Sequence, residues 1–265
     1  MTESEYRNHP AISRSELWRI HESPEKFKYF KDHPEEPTPA LLFGQVFHKM
    51  ALEPDTFDLE FLVMPDVDRR TKDGKQKWAD FMEKAENKTI IPSEMHEQVT
   101  AMCDALAAVP LAQKLLNGPR EVPFFWVDEL TGEECKCRTD CLNTHYSQPI
   151  IVDVKSAADA STEVFIRDAV KYGYDFQAAM YSEGVSRHIR QKPLFVFVVV
   201  EKTPPYAVNI LQADEVLLQR GHSLFREYIA TYHDCKLSGN WYGYLGKHTQ
   251  INTLALPAWL AKEVT

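Results

Sequence analysis

The chain of 265 residues is 44% hydrophobic and carries 30 basic against 39 acidic residues, for a formal net charge of −9 and an isoelectric point near 5.6. A chain of this length can bury a full core. Its acidity argues against a protein that coats nucleic acid with its whole surface, so any contact with a polyanion has to be local. No apolar run is long enough to span a bilayer, and the polar residues 1–6 lack the basic-then-apolar order of a secretion signal. The five cysteines, an odd number, fit reduced thiols better than a disulfide framework. A cytoplasmic protein with no membrane partner is expected.

In chain order, apolar periodicity predicts helices over 13–30, 40–52, 76–86 and 93–107, with the proline-containing stretch 33–39 as a loop between the first two. Between the second and third helices lies Arg69-Arg70-Thr71-Lys72-Asp73-Gly74-Lys75-Gln76-Lys77, five cations and one acid in nine residues. This is either a solvated loop and helix start or a local contact for DNA phosphates. The period then changes. Strands are predicted over 124–128 and 133–142, joined by a turn at Leu130-Thr131-Gly132, and a third over 149–155. A helical stretch over 162–188, bent near Gly173, follows. Residues 194–201 read as a strand buried on both faces, 206–212 as its partner, and 214–236 as a long amphipathic helix before a tail ending Leu256-Pro-Ala-Trp-Leu. No linker or repeat divides the chain, so one domain over 1–265 is expected. It comprises a mainly helical part (1–120), a sheet-and-helix core (121–212) and a C-terminal helix and tail (213–265).

The chemistry concentrates between residues 138 and 155. If 145–148 is a turn, counting outward pairs residue 140 with residue 153, so the carboxylates of Asp140 and Asp153 meet across an antiparallel ladder. Alternation places Asp153 and Lys155 on one face. Two acids and an ammonium at one strand end suit a divalent cation bridging the acids, a site for phosphodiester hydrolysis with the carbonyl of Val154 as a further oxygen ligand. The nearby Cys135, Cys137 and Cys141 suggest a zinc or iron–sulfur site. However, Cys-x-Cys alternation is what a half-buried strand gives, and both two-residue-gap pairs and a fourth ligand are missing.

The order helix, three-strand meander, helix, buried strand is mixed α/β. It resembles the core of the PD-(D/E)XK nuclease superfamily, a mixed central sheet flanked by helices, here with a helical N-terminal decoration. Within it the chain resembles the RecE exonuclease family, also known as exodeoxyribonuclease VIII, from about Ile12 to Trp259. Several blocks in the same order carry the resemblance: Leu-Leu-Phe-Gly44-Gln-Val-Phe-His48, Arg69-Arg70-Thr, Cys135-Lys-Cys137-Arg138-Thr-Asp140, Ile-Val-Asp153-Val-Lys155-Ser, Gln177-Ala-Ala-Met-Tyr181-Ser and Pro193-Leu-Phe-Val-Phe. Thr139 stands where the family usually has Pro.

The resemblance implies that Asp140 and Asp153 hold one or two Mg²⁺ or Mn²⁺ ions. It adds His48 as a neutral imidazole ligand, with Gly44 letting its helix approach the sheet closely. Lys155 would orient water or stabilise charge on the phosphate. Gln177 and Tyr181, four apart on one helix face, would line the site, Gln177 positioning Lys155 or water and Tyr181 contacting a phosphate or base. Glu53 reads as a capping or pairing residue. Ile12-Ser13-Arg14-Ser15-Glu16 reads as a hydroxyl-capped helix start, which makes Ser15 and Arg14 candidates for a terminal 5′-phosphate. Arg69, Arg70 and Lys72 are the candidate DNA contacts. The implied activity is a metal-dependent 5′-to-3′ exonuclease on linear double-stranded DNA that leaves 3′ single-stranded tails. Such enzymes work with a single-strand annealing protein of the RecT type and assemble as a homo-oligomeric ring. Rival readings are a RecB- or Cas4-like nuclease and a DNA-binding module of the same fold without catalysis.

Overall fold

The computed structural model describes residues 1, 3–248 and 251–256, so the end of the tail motif, with Trp259, lies outside the described residues. The chain begins with a short helix α1 (Glu3–Asn8) and a two-residue strand β1 (Ile12–Ser13), neither visible as periodicity. The single helix expected over 13–30 is two, α2 (Arg14–Glu22) and α3 (Pro24–Asp32). Pro24 lacks an N–H and pushes Ser23 into extended backbone (φ −175°), and the Ser23 hydroxyl then caps α3 by accepting from Lys26 N at 3.2 Å.

Helix α4 (Pro39–Leu52) follows a Thr38 cap and leads through a 3₁₀ turn (Pro54–Thr56) to α5 (Phe57–Glu60) and strand β2 (Phe61–Val63). The basic segment opens α6 (Lys72–Lys84), four residues earlier than periodicity indicated, because Thr71 caps it through Gly74 N. Strand β3 (Thr89–Ile91) pairs parallel with β2 as a small separate sheet, and α7 (Ser93–Ala107) and α8 (Pro110–Leu115) lead into the main sheet.

That sheet contains β4 (Arg120–Val127), β5 (Glu134–Asn143), β6 (Ile150–Ala157), β7 (Leu194–Glu201) and β8 (Val208–Gln212), together with β1. β4, β5 and β6 form an antiparallel meander, β6 and β7 run parallel, and β8 returns antiparallel to β7. The parallel step is bridged by α9 (Thr162–Lys171) and α10 (Tyr174–Ile189), separated at Gly173 as expected. The last helix is α11 (Glu215–Ser238).

Both faces of the sheet are covered. Phe195, Phe197 and Val199 of β7 join a core with α2, α3, α9, α10 and α11, while Val196, Val198 and Val200 join a second core with α4, α7 and α8. This mixed sheet between helical layers is the expected fold class.

One irregularity positions the site. At Cys135 and Lys136, β5 is paired to β4 on one edge and to β1 on the other, whereas from Cys141 onward that second edge is occupied by β6. The β5–β6 pairing runs Asn143↔Ile150 to Cys141↔Val152 and stops. Continued one step, this register would set Asp140 opposite Asp153, as the turn count requires, but the strands have begun to part. The edge of β5 is therefore open between its contacts with β1 and β6, and Asp140 stands in the opening.

Candidate metal centre

Helix α4 buries Val46 and Phe47 against the second core, so the next residue, His48, is turned toward the parted strands. Its Nε2 lies 2.9 Å from Asp140 Oδ1 and its Nδ1 lies 3.5 Å from Glu121 Oε1. Glu121 is at the start of β4 with φ 52°, a left-handed conformation uncommon outside glycine, and it is skipped between the pairs Arg120↔Cys141 and Val122↔Thr139. The local distortion continues on β5, where Cys135 and Cys137 lie in one core and Cys141 in the other, so strict alternation is broken between them. This also separates the three cysteines, all five cysteines of the chain being free thiols.

Three acids are each held by a base. Besides His48–Asp140, Arg138 Nε pairs with Glu121 Oε2 at 2.6 Å, and Lys155 Nζ lies 2.5 Å from Asp153 Oδ2. The Val154 N–H donates to Asp140 Oδ2 at 2.7 Å, and Gln177 Nε2 donates to Asp153 Oδ1 at 2.5 Å. Asp153 Oδ2 is held by the Lys155 ammonium, whereas Glu121 Oε1 is a buried oxygen with no hydrogen-bond donor.

The electrostatics follow from burial and charge together. Burial alone would lower the His48 pKa, but Asp140 and then Glu121 outweigh it and raise it to about 9. Burial would raise Asp140, yet His48, Lys155 and the Val154 N–H hold it below the usual carboxylate range. For Asp153 burial prevails over the attraction of Lys155 and lifts it to about 6, and burial lifts Glu121 to about 7 against the pull of His48.

His48, Arg138 and Lys155 line a cleft of about 1370 Å³ together with Glu121 and Val154, while Asp140 and Asp153 lie beneath them. Among the described residues, His48, Glu121 and Asp140 form the group able to hold a metal ion, with ligand atoms all within 4.8 Å of one another. Two carboxylates, one with a buried oxygen that lacks a donor, and an imidazole suit a hard divalent cation.

The sequence-predicted residues divide accordingly. His48, Asp140, Asp153, Val154, Lys155 and Gln177 converge, although Gln177 reaches Asp153 and not Lys155. Tyr181 packs against the first core, and burial raises its hydroxyl pKa well above the ordinary value. Gly44 does not serve close approach, since a Cβ there would meet nothing within 4 Å. It lines the cleft instead. Glu53 pairs with Lys49 at 2.9 Å, in keeping with the sequence reading.

At the start of α2 it is Ser13, not Ser15, that forms the cap, in a reciprocal box with Glu16. Ser15 is exposed, 3.3 Å from the Ser13 hydroxyl and outside the cleft. Arg14 donates to the carbonyls of Tyr172 and Gly173. Arg69, Arg70 and Lys72 are exposed and not among the cleft-lining residues. Arg69 lies over Trp78 at 4.4 Å and Arg70 is tied to Asp68 at 2.9 Å. Glu121 and Tyr174, whose ring lies 4.9 Å from Lys155 Nζ, escaped the sequence reading.

A family model described as a PDDEXK-like domain of unknown function (DUF3799) matches residues 13–252. The chain belongs to that family. Its PDDEXK-like fold accounts for the mixed sheet and for the acids and lysine on β5 and β6. Among solved structures it is similar to a candidate exonuclease from Eubacterium rectale, with 13% sequence identity, a TM-score of 0.61 and coverage of 98% of this chain and 97% of that one. At that identity the likeness speaks for the fold alone. The protein SSO0001 matches at 14% identity and a TM-score of 0.33 over 71% of this chain and 85% of its own, and no argument rests on it. No curated protein matches the sequence. Among the described residues no helix is long and apolar enough to cross a membrane.

Proposed function

We propose that this PDDEXK-like protein is a divalent-metal-dependent exonuclease that degrades linear double-stranded DNA from 5′ ends and leaves 3′ single-stranded tails. The observation that carries the metal-dependent part is the convergence of His48, Glu121 and Asp140 beside Asp153-Val154-Lys155 at the point where β5 and β6 part. His48, Glu121, Asp140 and Asp153 would hold Mg²⁺ or Mn²⁺, which when bound lowers the pKa of water and offsets phosphate charge. Lys155, on the cleft wall, presents its ammonium to a phosphate whose charge grows in the transition state, and Gln177 fixes the Asp153 carboxylate from below. Exonuclease action, polarity and substrate rest on the resemblance of the motif blocks to the RecE family, as do a homo-oligomeric ring and a RecT-type annealing partner. The candidate-exonuclease description of the Eubacterium rectale protein agrees with the first of these.

The deciding experiment digests linear duplex labelled separately at each 5′ and 3′ end, with Mg²⁺ and with chelator, beside closed circular duplex. Metal-dependent release from 5′ ends only, with circles intact, is expected. Brisk cutting of circles makes the protein an endonuclease of the same fold, and absence of any digestion leaves a DNA-binding module. If Ser15 holds a terminal phosphate, ends carrying 5′-hydroxyl are degraded more slowly than phosphorylated ends.

A further inference from the structure

The first turn of α10 touches both members of the Asp153–Lys155 pair. Gln177 donates to Asp153, and the ring of Tyr174, three residues earlier on the same helix face, lies 4.9 Å from the Lys155 ammonium. Tyr174 is itself wedged by Phe165 at 5.8 Å, Tyr172 at 6.0 Å and Phe197 at 6.1 Å between ring centroids, so the ring face it offers Lys155 is fixed by neighbouring rings.

The turn before it is held from the other side. Gly173 has φ 66°, and a Cβ there would fall 2.4 Å from the Trp18 ring, so the position requires glycine twice over. Arg14, at the start of α2, donates from Nη2 to the carbonyls of Tyr172 and Gly173 (2.9 Å for the latter), stacks 5.5 Å from the Trp18 ring, and leaves its Nε buried without a partner. The Gly173 carbonyl also accepts from Gln177 N at 2.9 Å. A buried guanidinium whose hydrogen bonds go to backbone carbonyls, with Asp153 attracting it only through space, is a costly arrangement, and here its bonds end at the junction that aims Tyr174 and Gln177.

We propose that Tyr174 is a positioning residue that seats the Lys155 ammonium against its ring face, and that Arg14, by clamping the Tyr172–Gly173 carbonyls, fixes that seat. Lys155 then has two fixed neighbours, Asp153 and the Tyr174 ring, which confine a flexible four-carbon chain to one place on the cleft wall. The proposal rests on the nuclease reading only for its kinetic consequence. The placement itself is independent of it.

The test uses full-length protein labelled with ¹³C-lysine, the Lys155 ε-CH₂ signal being assigned from its absence in K155M. Ring current from Tyr174 is expected to shift that signal upfield of the other lysines. Y174F, which keeps the ring, retains the shift and Y174L abolishes it. R14M broadens or moves the signal while R14K restores it in part. In the digestion assay Y174L and R14M lower kcat by about 10-fold, the scale of one partly desolvated cation–π contact, with KM for DNA nearly unchanged. An unshifted Lys155 signal in the wild type, or one unaltered by Y174L, overturns the proposal. Should R14M fail to fold, the Tyr174 variants decide alone. A wild-type protein that shows the shift, loses it in Y174L and digests no DNA upholds the seat and overturns the nuclease reading.

Discussion

Raising the pH from 7 to 9 should tighten Mg²⁺ binding while it destabilises the metal-free protein. A metal takes the imidazole of His48 only when neutral, and Asp140 and Glu121 raise its pKa to about 9. At pH 7 the proton therefore competes, weakening binding by about 10², or roughly 3 kcal/mol, with tenfold recovery per pH unit until about pH 9. Glu121, raised to about 7 by burial, adds a second competing proton below that pH.

The stability of the metal-free fold runs the other way. A histidine whose folded pKa lies above its ordinary 6.5 contributes stability that is fully present below pH 6.5 and is lost as pH rises through 9. The loss is about 3 kcal/mol over that window. Titration calorimetry at pH 8 in buffers of differing ionisation heat should find close to one proton released per Mg²⁺ bound, and scanning calorimetry without metal should find the melting temperature falling over the same range. H48Q should flatten both trends. A dissociation constant that changes less than threefold between pH 7 and 9, or binding without proton release, refutes the His48–Asp140 pairing as the feature the metal displaces.

D140A and D153A should each abolish Mg²⁺-dependent digestion while leaving the far-ultraviolet dichroism intact, and near wild-type digestion by either removes it from the site. K155A should slow cleavage by roughly 10², the scale of one transition-state electrostatic contact, with calorimetric Mg²⁺ affinity nearly unchanged. R69A combined with R70A should weaken duplex binding and flatten its salt dependence by about one unit of slope per lost phosphate contact. An unchanged slope makes these exposed residues a solvated loop held by Trp78 and Asp68. S23A should lower stability by about 1 kcal/mol in urea melts through loss of the α3 cap, and no change would assign the helix break to Pro24 alone.

Most of the sheet was legible because its strands are strongly patterned. Leu194–Glu201 reads as buried on both faces and is, and α7 spans the residues its periodicity marks. The turn count gives the register that β5 and β6 adopt, but the ladder ends at Cys141↔Val152, so Asp140 and Asp153 stand one step beyond it and are not themselves paired. What escaped depends on conformation that local pattern does not encode. Glu121 sits at the polar start of an apolar strand and becomes a site residue through a left-handed φ and a gap in pairing, which nothing in Arg-Glu-Val-Pro-Phe announces. Tyr174 reads as one more aromatic at a helix start, its meaning set by Lys155 on β6, distant in sequence but facing it. β1 is too short to show alternation, and β2 and β3, three residues each, pair only across an intervening helix. The break at Ser23 was readable from Pro24 and was overridden by the apolar periodicity on both sides.

The two-residue strand β1 has a consequence for how the molecule assembles. Its partners on β5 lie about 120 residues further along the chain, whereas β4 through β6 pair with near neighbours in sequence and β7 with β8. Ordering so long a loop costs chain entropy before any contact returns it, and non-local pairings of this kind form slowly. In refolding, the meander and the β7–β8 pair should gain amide-exchange protection first, with Ile12 and Ser13 docking later and bringing α2, and so Arg14 and Trp18, to the completed sheet. During synthesis the same segment leaves the ribosome long before its partner exists, so the clamp that Arg14 places on the Tyr172–Gly173 turn is among the last contacts to be set in place.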